Sequence, residues 1–234
     1  ISSAIIREAF STKVITPGIT STDDVVWWMR EKVLSLGLET WFHPTVDVQR
    51  KDKSELYAFD SKSKFDIILP GDLLHCDFGI SYLTLNTDTQ ELAYVLKPGE
   101  TNAPDFLINA FKEGTRVQDI FTNNFKQGLT GNEILKKSLD QGKAEGLRPS
   151  IYTHPLGTYG HSAGTTIGMW DSQGGVPFTG DYPLQYNTAY AIELNTTVYI
   201  EEWDKDIGIM LEVPGFFGEN GFRYINGRLK EFLL

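Results

Sequence analysis

The chain has 234 residues, 41% of them hydrophobic, and a formal net charge of −10 from 21 basic and 31 acidic residues. A chain of this length can bury a sizeable core, in one large domain or two small ones. The acidic balance argues against a nucleic-acid partner or an anionic membrane, since both require a basic surface. Cys76 is the only cysteine, so an intrachain disulfide is excluded.

The sequence shows no targeting or membrane-spanning segment. It has no run of about 20 apolar residues, and it starts with neither methionine nor a basic-then-apolar signal pattern. We therefore expect a soluble protein, cytoplasmic by default, that is a mature form or an excised part of a longer protein. No linker-like stretch interrupts the chain, which predicts a single domain over residues 1–234.

The first half of the chain predicts a helix followed by strands. Residues 16–38 begin with Thr, Ser and Asp, as helix starts do, and continue with apolar residues at helical spacing. The residues expected to face the core are Val25, Trp28, Met29, Val33 and Leu34. Residues 38–50 alternate like a strand that breaks into the charged loop 51–55, and residues 68–96 predict a turn and two strands.

The second half predicts the same types of element in the same order. Residues 103–121 and 129–147 are amphipathic and predict two helices, the second with Thr130 as its cap. Residues 189–202 and 206–217 predict two further strands. Helical stretches followed by a strand pair thus occur in each half, which indicates an α+β fold with a duplicated architecture.

Acidic residues stand inside otherwise apolar strands, which is the most informative feature of the sequence. They are Asp77 in "LLHCDFGI", Asp88 in "LNTDTQ", Glu193 in "YAIELNT" and Glu212 in "IGIMLEV". Any one of them could be a solvated edge residue or a hydrogen-bonded core acid. Burying an ionised carboxylate without a partner is costly, and no Lys or Arg interrupts these strand segments. Four such acids favour a pair of divalent metal ions.

The glycine-rich stretch from residue 153 to residue 171 supplies imidazoles that could complete such a site. It contains His154 and His161, seven residues apart, and the pattern Gly-His-x-x-Gly at Gly160, His161 and Gly164. The stretch lacks the Gly-Lys-Ser/Thr ending of a phosphate-binding loop. His161 is the expected metal ligand, whereas His154 is open between a structural loop residue and a site group.

At these residues the chain resembles the pita-bread metallopeptidases: methionine aminopeptidases, Xaa-Pro aminopeptidases, prolidases and creatinases. The resemblance rests on Asp77-Phe-Gly with a second Asp eleven residues later, the Gly-His-x-x-Gly loop, and the strand acids Glu193 and Glu212. It covers essentially the whole chain. It implies the α+β pita-bread fold, in which two halves of helices and strands are related by a pseudo-twofold axis around a curved antiparallel sheet.

The resemblance also implies a cofactor and a reaction. The cofactor is two divalent ions, with manganese favoured over cobalt, zinc or iron; Asp88 and Glu212 would bridge them, and Asp77, His161 and Glu193 would complete the shells. The ions activate a water for attack on a peptide carbonyl, and Glu193 assists the proton transfer. The expected activity is an exopeptidase acting on N-terminal Xaa-Pro or similar bonds of a peptide substrate. A homodimer is expected by analogy with the proline-specific branch.

Departures from the family pattern concern the substrate-contacting residues. Many members carry a second histidine seven residues after the ligand histidine, where this chain has Gly168, and a further one upstream, for which His43 is the only candidate. His154 is therefore also a candidate for a catalytic or substrate-binding role, with Tyr159 and Trp170 as residues at the pocket rim. Two alternatives stay open: a scaffold without hydrolysis that binds peptides or a partner, and a creatinase-like hydrolase of a non-peptide C–N bond.

Overall fold

A computed structural model describes residues 1–52 and 65–234. These ranges contain four α-helices: α1 (Ser2–Ala9), α2 (Thr22–Ser35), α3 (Asp105–Asn123) and α4 (Gly131–Ala144). They also contain eleven strands: β1 (Glu39–Thr40), β2 (Thr45–Gln49), β3 (Leu73–Phe78), β4 (Ile80–Tyr82), β5 (Leu85–Asn86), β6 (Thr89–Tyr94), β7 (Pro149–Ile151), β8 (His154–Pro155), β9 (Thr188–Ile200), β10 (Lys205–Gly218) and β11 (Gly221–Tyr224). Most of the predicted charged loop 51–55 lies outside the described residues.

The strands form one large antiparallel sheet and one small one. The large sheet has the order β2-β3-β6-β10-β9-β7, with β8 also paired to β9 and β11 to β10. The first half of the chain supplies β2, β3 and β6, and the second half supplies the others, so the two halves meet where β6 pairs with β10. The small sheet has the order β1-β4-β5. This is the predicted α+β pita-bread architecture.

Both helix pairs pack on the same face of the large sheet. Cys76 and Ala93 belong to the core cluster that includes α1 and α2, and Leu194 and Leu211 belong to the cluster that includes α3 and α4. Cys76, Leu194 and Leu211 are the immediate sequence neighbours of Asp77, Glu193 and Glu212, and Ala93 is three residues from Gln90. Side chains at an odd spacing along a strand point to opposite faces of the sheet. Asp77, Glu193 and Glu212 project to the opposite side of their strands from these four residues.

Side-chain caps set the helix starts. Ser21 accepts a hydrogen bond from the backbone of Asp24 while the Asp24 carboxylate accepts one from the backbone of Ser21, which begins α2 later than the predicted residue 16. Thr130 and Glu133 form the same capping box in α4, which confirms the predicted cap. Leu34 was wrongly expected in the core and is 70% exposed, because it is rotated about 140° from Met29 and so leaves the buried stripe.

The predicted strand 38–50 is divided into β1 and β2. Residues 41–44 between them end with Pro44, which cannot donate a ladder hydrogen bond. The two strands predicted within residues 68–96 are observed as four, because β4 and β5 form a short hairpin of the small sheet between β3 and β6. The other predicted helices and strands are observed within a few residues, and α1 was not predicted. None of the helices in the described ranges combines the length and apolar character that a membrane crossing requires.

Candidate metal centre

Three of the four predicted acids lie in one row across the large sheet. Asp77 on β3 is opposite Gln90 on β6, Gln90 is opposite Glu212 on β10, and Glu212 is opposite Glu193 on β9. Residues directly opposite each other in an antiparallel sheet project to the same face. The fourth acid, Asp88, immediately precedes β6. The register thus brings together carboxylates that are up to 135 residues apart in sequence.

His154 on β8 completes this cluster. Its Nε2 lies 3.7 Å from Asp88 Oδ2, 3.9 Å from Glu193 Oε2 and 3.8 Å from Glu212 Oε1. The residue is only 3% exposed. Strand pairing places it there, because His154 is opposite Ala191, two residues before Glu193 on β9. Within the described residues, no Lys or Arg forms an ion pair with any acid of the cluster.

The hydrogen bonding of His154 shows that the cluster fits a cation. Its Nδ1 lies 3.2 Å from the carbonyl oxygen of Pro155, which can only accept, so Nδ1 carries the proton. In the neutral ring Nε2 then presents a lone pair towards carboxylate oxygens, which are also acceptors. Buried atoms without a hydrogen-bond partner include His154 Nε2, Asp77 Oδ1 and Glu212 Oε1. A cation satisfies all of these acceptors together.

Grouping the ligand atoms by distance gives the same conclusion. Three sets can each hold a metal ion with their ligand atoms within 4.8 Å of one another. They are Asp77, Asp88 and Glu212; His154, Glu193 and Glu212; and Asp88, His154 and His161. Asp88, His154 and Glu212 each occur in two of the three sets, so the sets form one connected cluster.

Electrostatics in the cluster oppose ionisation unless a cation is bound. Burial raises the pKa of Glu212, Asp88, Glu193 and Asp77, and the neighbouring carboxylates raise those of Glu212, Asp88 and Glu193 further. Burial, and then the charge of nearby His161, lowers the pKa of His154 to about 4. His154 is therefore neutral at physiological pH, as a metal ligand must be.

We expect the metal-free protein to lose stability as the pH rises from 7 to 9. The folded carboxyls, with raised pKa values, still hold protons that the unfolded chain has released, so the free energy of unfolding falls with pH. In this range histidines of the unfolded chain are already mostly neutral. Thermal unfolding of chelator-treated protein should show a midpoint lower by roughly 5 °C or more at pH 9. In Asp88→Asn the unfolding midpoint should fall less steeply with pH. A fall as steep as that of the wild type would contradict the raised pKa of Asp88.

A relay of buried amide and imidazole groups supports Glu193. Gln90 Nε2 donates to Glu193 Oε1 at 3.0 Å, and His75 Nε2 lies 3.0 Å from Gln90 Oε1. The relay holds one oxygen of Glu193 and leaves the other facing His154. His75 reaches the site through Gln90, and its charge acts to lower the pKa of Asp77. Gln90 was missed from sequence, because a glutamine in a strand carries no charge anomaly.

His161 lies beside the cluster rather than inside it. Its ring centroid is 4.1 Å from that of His154, and its Nδ1 is 3.4 Å from the Tyr152 hydroxyl. Trp41 contacts the same ring, with centroids 5.8 Å apart and an interplanar angle of 68°. His161 is exposed, unlike His154, and only the third set, with Asp88 and His154, includes it.

Gly168 occupies a position that admits no side chain. Its φ is +71°, and a Cβ there would lie 2.1 Å from the carbonyl oxygen of Ile151. The glycine is therefore required by the backbone, whatever a family pattern places seven residues after His161. The chain does contain two histidines seven residues apart, His154 and His161, seven residues before the pair of positions 161 and 168.

The remaining predicted pocket residues lie at the surface. Tyr159 is 71% exposed and Trp170 is 67% exposed. Their role as rim residues remains a prediction. His43 is exposed and lies 2.9 Å from an Arg30 nitrogen through its Nδ1, with its ring 6.0 Å from that of Trp27.

The sequence model of the family described as Metallopeptidase family M24 matches residues 1–223. The chain belongs to this family. No curated protein matches the sequence significantly.

Solved structures of family members have the same fold. An X-Pro aminopeptidase from Thermotoga maritima is 17% identical with a TM-score of 0.74, over 98% of this chain and 59% of that one. A Xaa-Pro dipeptidase from Bacillus anthracis is 21% identical with a TM-score of 0.69, over 99% and 60%. A methionine aminopeptidase from Thermotoga maritima is 18% identical with a TM-score of 0.64, over 95% and 92%. The chain thus spans about three fifths of the proline-specific enzymes and most of the methionine aminopeptidase.

Proposed function

We propose that the chain is the catalytic part of a dinuclear metal-dependent exopeptidase that cleaves Xaa-Pro or similar bonds at peptide N-termini. One observation carries the proposal: the Nε2 lone pair of buried His154 converges with oxygens of Asp88, Glu193 and Glu212, without a hydrogen-bond partner of its own. Membership of the metallopeptidase family supports metal-dependent hydrolysis. The Xaa-Pro preference is supported by the similarity of the chain to an X-Pro aminopeptidase and a Xaa-Pro dipeptidase.

In this proposal five residues hold the ions: Asp77, Asp88, His154, Glu193 and Glu212. His154 thus takes the ligand role predicted for His161, and His161 becomes the substrate-contacting histidine. Bound divalent ions would supply a Lewis acid and a deprotonated water nucleophile at neutral pH. The metal identity expected from the resemblance, manganese, remains part of the proposal.

Glu193 is suited to accept the proton released from the nucleophile. It is the more exposed of the two glutamates in the cluster, with 22% of its side chain accessible against 1% for Glu212. Gln90 holds its Oε1, so Oε2 is the free oxygen.

Tyr152 sets the orientation in which His161 meets a substrate. Burial, together with Glu193, Glu212 and Asp88, raises the pKa of Tyr152 to about 12, so the hydroxyl keeps its proton. When it donates to Nδ1 of His161, the imidazole proton lies on Nε2. His161 then offers an N–H donor to a carbonyl oxygen of the substrate as negative charge develops there.

The experiment that tests the proposal measures metal content and peptide hydrolysis on the same protein. We expect about two divalent ions per chain after reconstitution with manganese, and turnover of Xaa-Pro dipeptides or of longer peptides that begin with Xaa-Pro. Peptides with Ala in place of Pro are the matched substrates, and the metal-free protein is the control.

Each failure of this experiment contradicts a different part of the proposal. Less than one ion per chain, unrecovered by manganese or cobalt, would contradict the dinuclear centre. Two ions without hydrolysis of any peptide would favour the binding scaffold or the creatinase-like reaction. Equal rates on Pro and Ala peptides would contradict the Xaa-Pro preference while leaving the exopeptidase intact.

A further inference from the structure

The indole of Trp41 occupies a slot between two segments of the candidate site. A Cβ on Gly160 would lie 2.2 Å from Cη2 of the indole, and a Cβ on Gly79 would lie 2.2 Å from its Nε1. Gly160 precedes His161, and Gly79 is two residues after Asp77. The two glycines therefore leave the space that the indole fills.

The polar end of the same side chain is fixed to a third segment of the site. Trp41 Nε1 donates to the carbonyl oxygen of Thr87 at 2.7 Å, and Thr87 precedes Asp88. The indole also forms a T-shaped pair with the His161 ring, with centroids 5.8 Å apart. A residue in the short connection between β1 and β2 thus touches the neighbours of Asp77, Asp88 and His161.

We propose that Trp41 is a positioning residue that holds His161 against the carboxylate cluster. The inference rests on the proposed function for the role of His161, and on geometry for the contact itself. The indole cannot move towards Gly79 or Thr87, because the glycine slot and the Nε1 hydrogen bond fix it there. The rings of Trp41, Tyr152 and His154 all lie close to that of His161, with centroids 5.8, 5.8 and 4.1 Å away, and together they limit its rotation.

Trp41→Ala tests the proposal with metal content and kcat/KM measured together. We expect kcat/KM to fall roughly 10- to 100-fold, as removal of a supporting partner typically does, while metal content stays unchanged because Trp41 offers no ligand. Trp41→Phe keeps an aromatic ring but lacks the Nε1 donor, so its kcat/KM should lie between those of the wild type and Trp41→Ala. Loss of metal in parallel with activity would overturn the positioning role.

Trp27→Ala is the matched control. Trp27 is 51% exposed and makes a similar edge contact with His43, at 6.0 Å between centroids and an interplanar angle of 72°. In the described part of the chain, the contacts of this second tryptophan–histidine pair involve Arg30 and none of the acids of the cluster. We expect wild-type kcat/KM from it, and a loss equal to that of Trp41→Ala would overturn the proposal.

A double-mutant cycle with Gly160→Ala tests the contact itself. The added methyl group clashes with the indole, so Gly160→Ala alone should impair the enzyme, whereas in the Trp41→Ala background it should add little. Additive effects would show that the two residues do not act through each other, which would overturn the proposal.

Histidine NMR separates this inference from the proposed function. In zinc-loaded protein with labelled histidines, Trp41→Ala should move the ring signals of His161, while those of His43 stay in place. If the wild type hydrolyses no peptide but the His161 signals move, the proposed function fails and the positioning contact stands. Unmoved His161 signals would overturn the contact, whatever the activity.

Discussion

Glu212→Gln is expected to lower metal affinity and kcat/KM by more than about 100-fold, since loss of a direct ligand exceeds the 10- to 100-fold effect of an outer-shell partner. Glu212 is 1% exposed, occurs in two of the three sets of ligand atoms, and has a buried Oε1 without a hydrogen-bond partner. The amide keeps the volume of the side chain and removes only its charge. A loss of metal from this variant therefore reports on coordination rather than on packing.

The same substitution should stabilise the metal-free protein. Burial and the surrounding acids raise the pKa of Glu212, so ionising this carboxyl opposes folding when no cation is present. Replacing it with an amide removes that opposition, and we expect the free energy of unfolding of the metal-free protein to rise. A substitution that lowers metal affinity and raises the stability of the metal-free protein indicates that the original residue serves metal binding rather than folding.

Glu91→Gln is the matched control for both measurements. Glu91 is also a buried strand glutamate, 3% exposed, and its pKa is raised by burial to about 7. It follows Gln90 on β6, so its side chain points to the helix face, where Arg7 and Ser3 interact with it. We expect this variant to retain metal and activity. Loss of both in Glu91→Gln, or retained activity in Glu212→Gln, would show that the cluster is not the reactive centre.

The positions of the acids could be predicted from sequence because strand alternation makes a buried charge conspicuous. Asp77, Glu193 and Glu212 each have apolar neighbours that fix the strand in the core, which leaves the acid to the other face. Which acids stand opposite each other could not be predicted. That depends on the register between β6 and β10, which joins the two halves through a single matched pair, Gln90 and Glu212.

Helix bounds and neutral site residues were less predictable. The capping boxes at Ser21 and Thr130 are visible as Ser or Thr followed three residues later by an acid, and they mark the observed starts. Gln90 and Trp41 have no such signal, because their importance comes from contacts between distant segments. Their roles follow only from the three-dimensional structure.

The two histidines show why a local pattern can match twice. His161 has a glycine three residues later at Gly164, and His154 has one at Gly157, so the His-x-x-Gly pattern fits both. Choosing His161 placed the second histidine of the family pattern at Gly168, where backbone geometry excludes a side chain. Choosing His154 places it at His161. The direction of the Nε2 lone pair, which no sequence pattern reports, favours His154.

Substituting each histidine separately is expected to remove the bound metal in one variant and to leave it in the other. His154→Gln should lose bound metal, because Nε2 is the only nitrogen of this residue that faces the carboxylates while Nδ1 is held by Pro155. His161→Gln should retain metal and lose roughly 10²- to 10³-fold in kcat, the effect of removing one hydrogen-bond donor from a developing oxyanion. Metal content is measured on purified protein reconstituted with manganese, with the wild type treated in the same way as the reference.

The hydroxyl group of Tyr152 distinguishes the roles of the two histidines in a second way. Burial lowers the pKa of His161, so in the wild type this ring is neutral at pH 7 and donates through Nε2 when Tyr152 holds Nδ1. If His161 contacts the substrate, Tyr152→Phe should lower kcat with metal content unchanged, because Nδ1 loses its donor and the tautomer is no longer fixed. If His161 were instead the ligand, His161→Gln would lose metal while His154→Gln kept it. That single reversal would restore the assignment made from the Gly-His-x-x-Gly pattern.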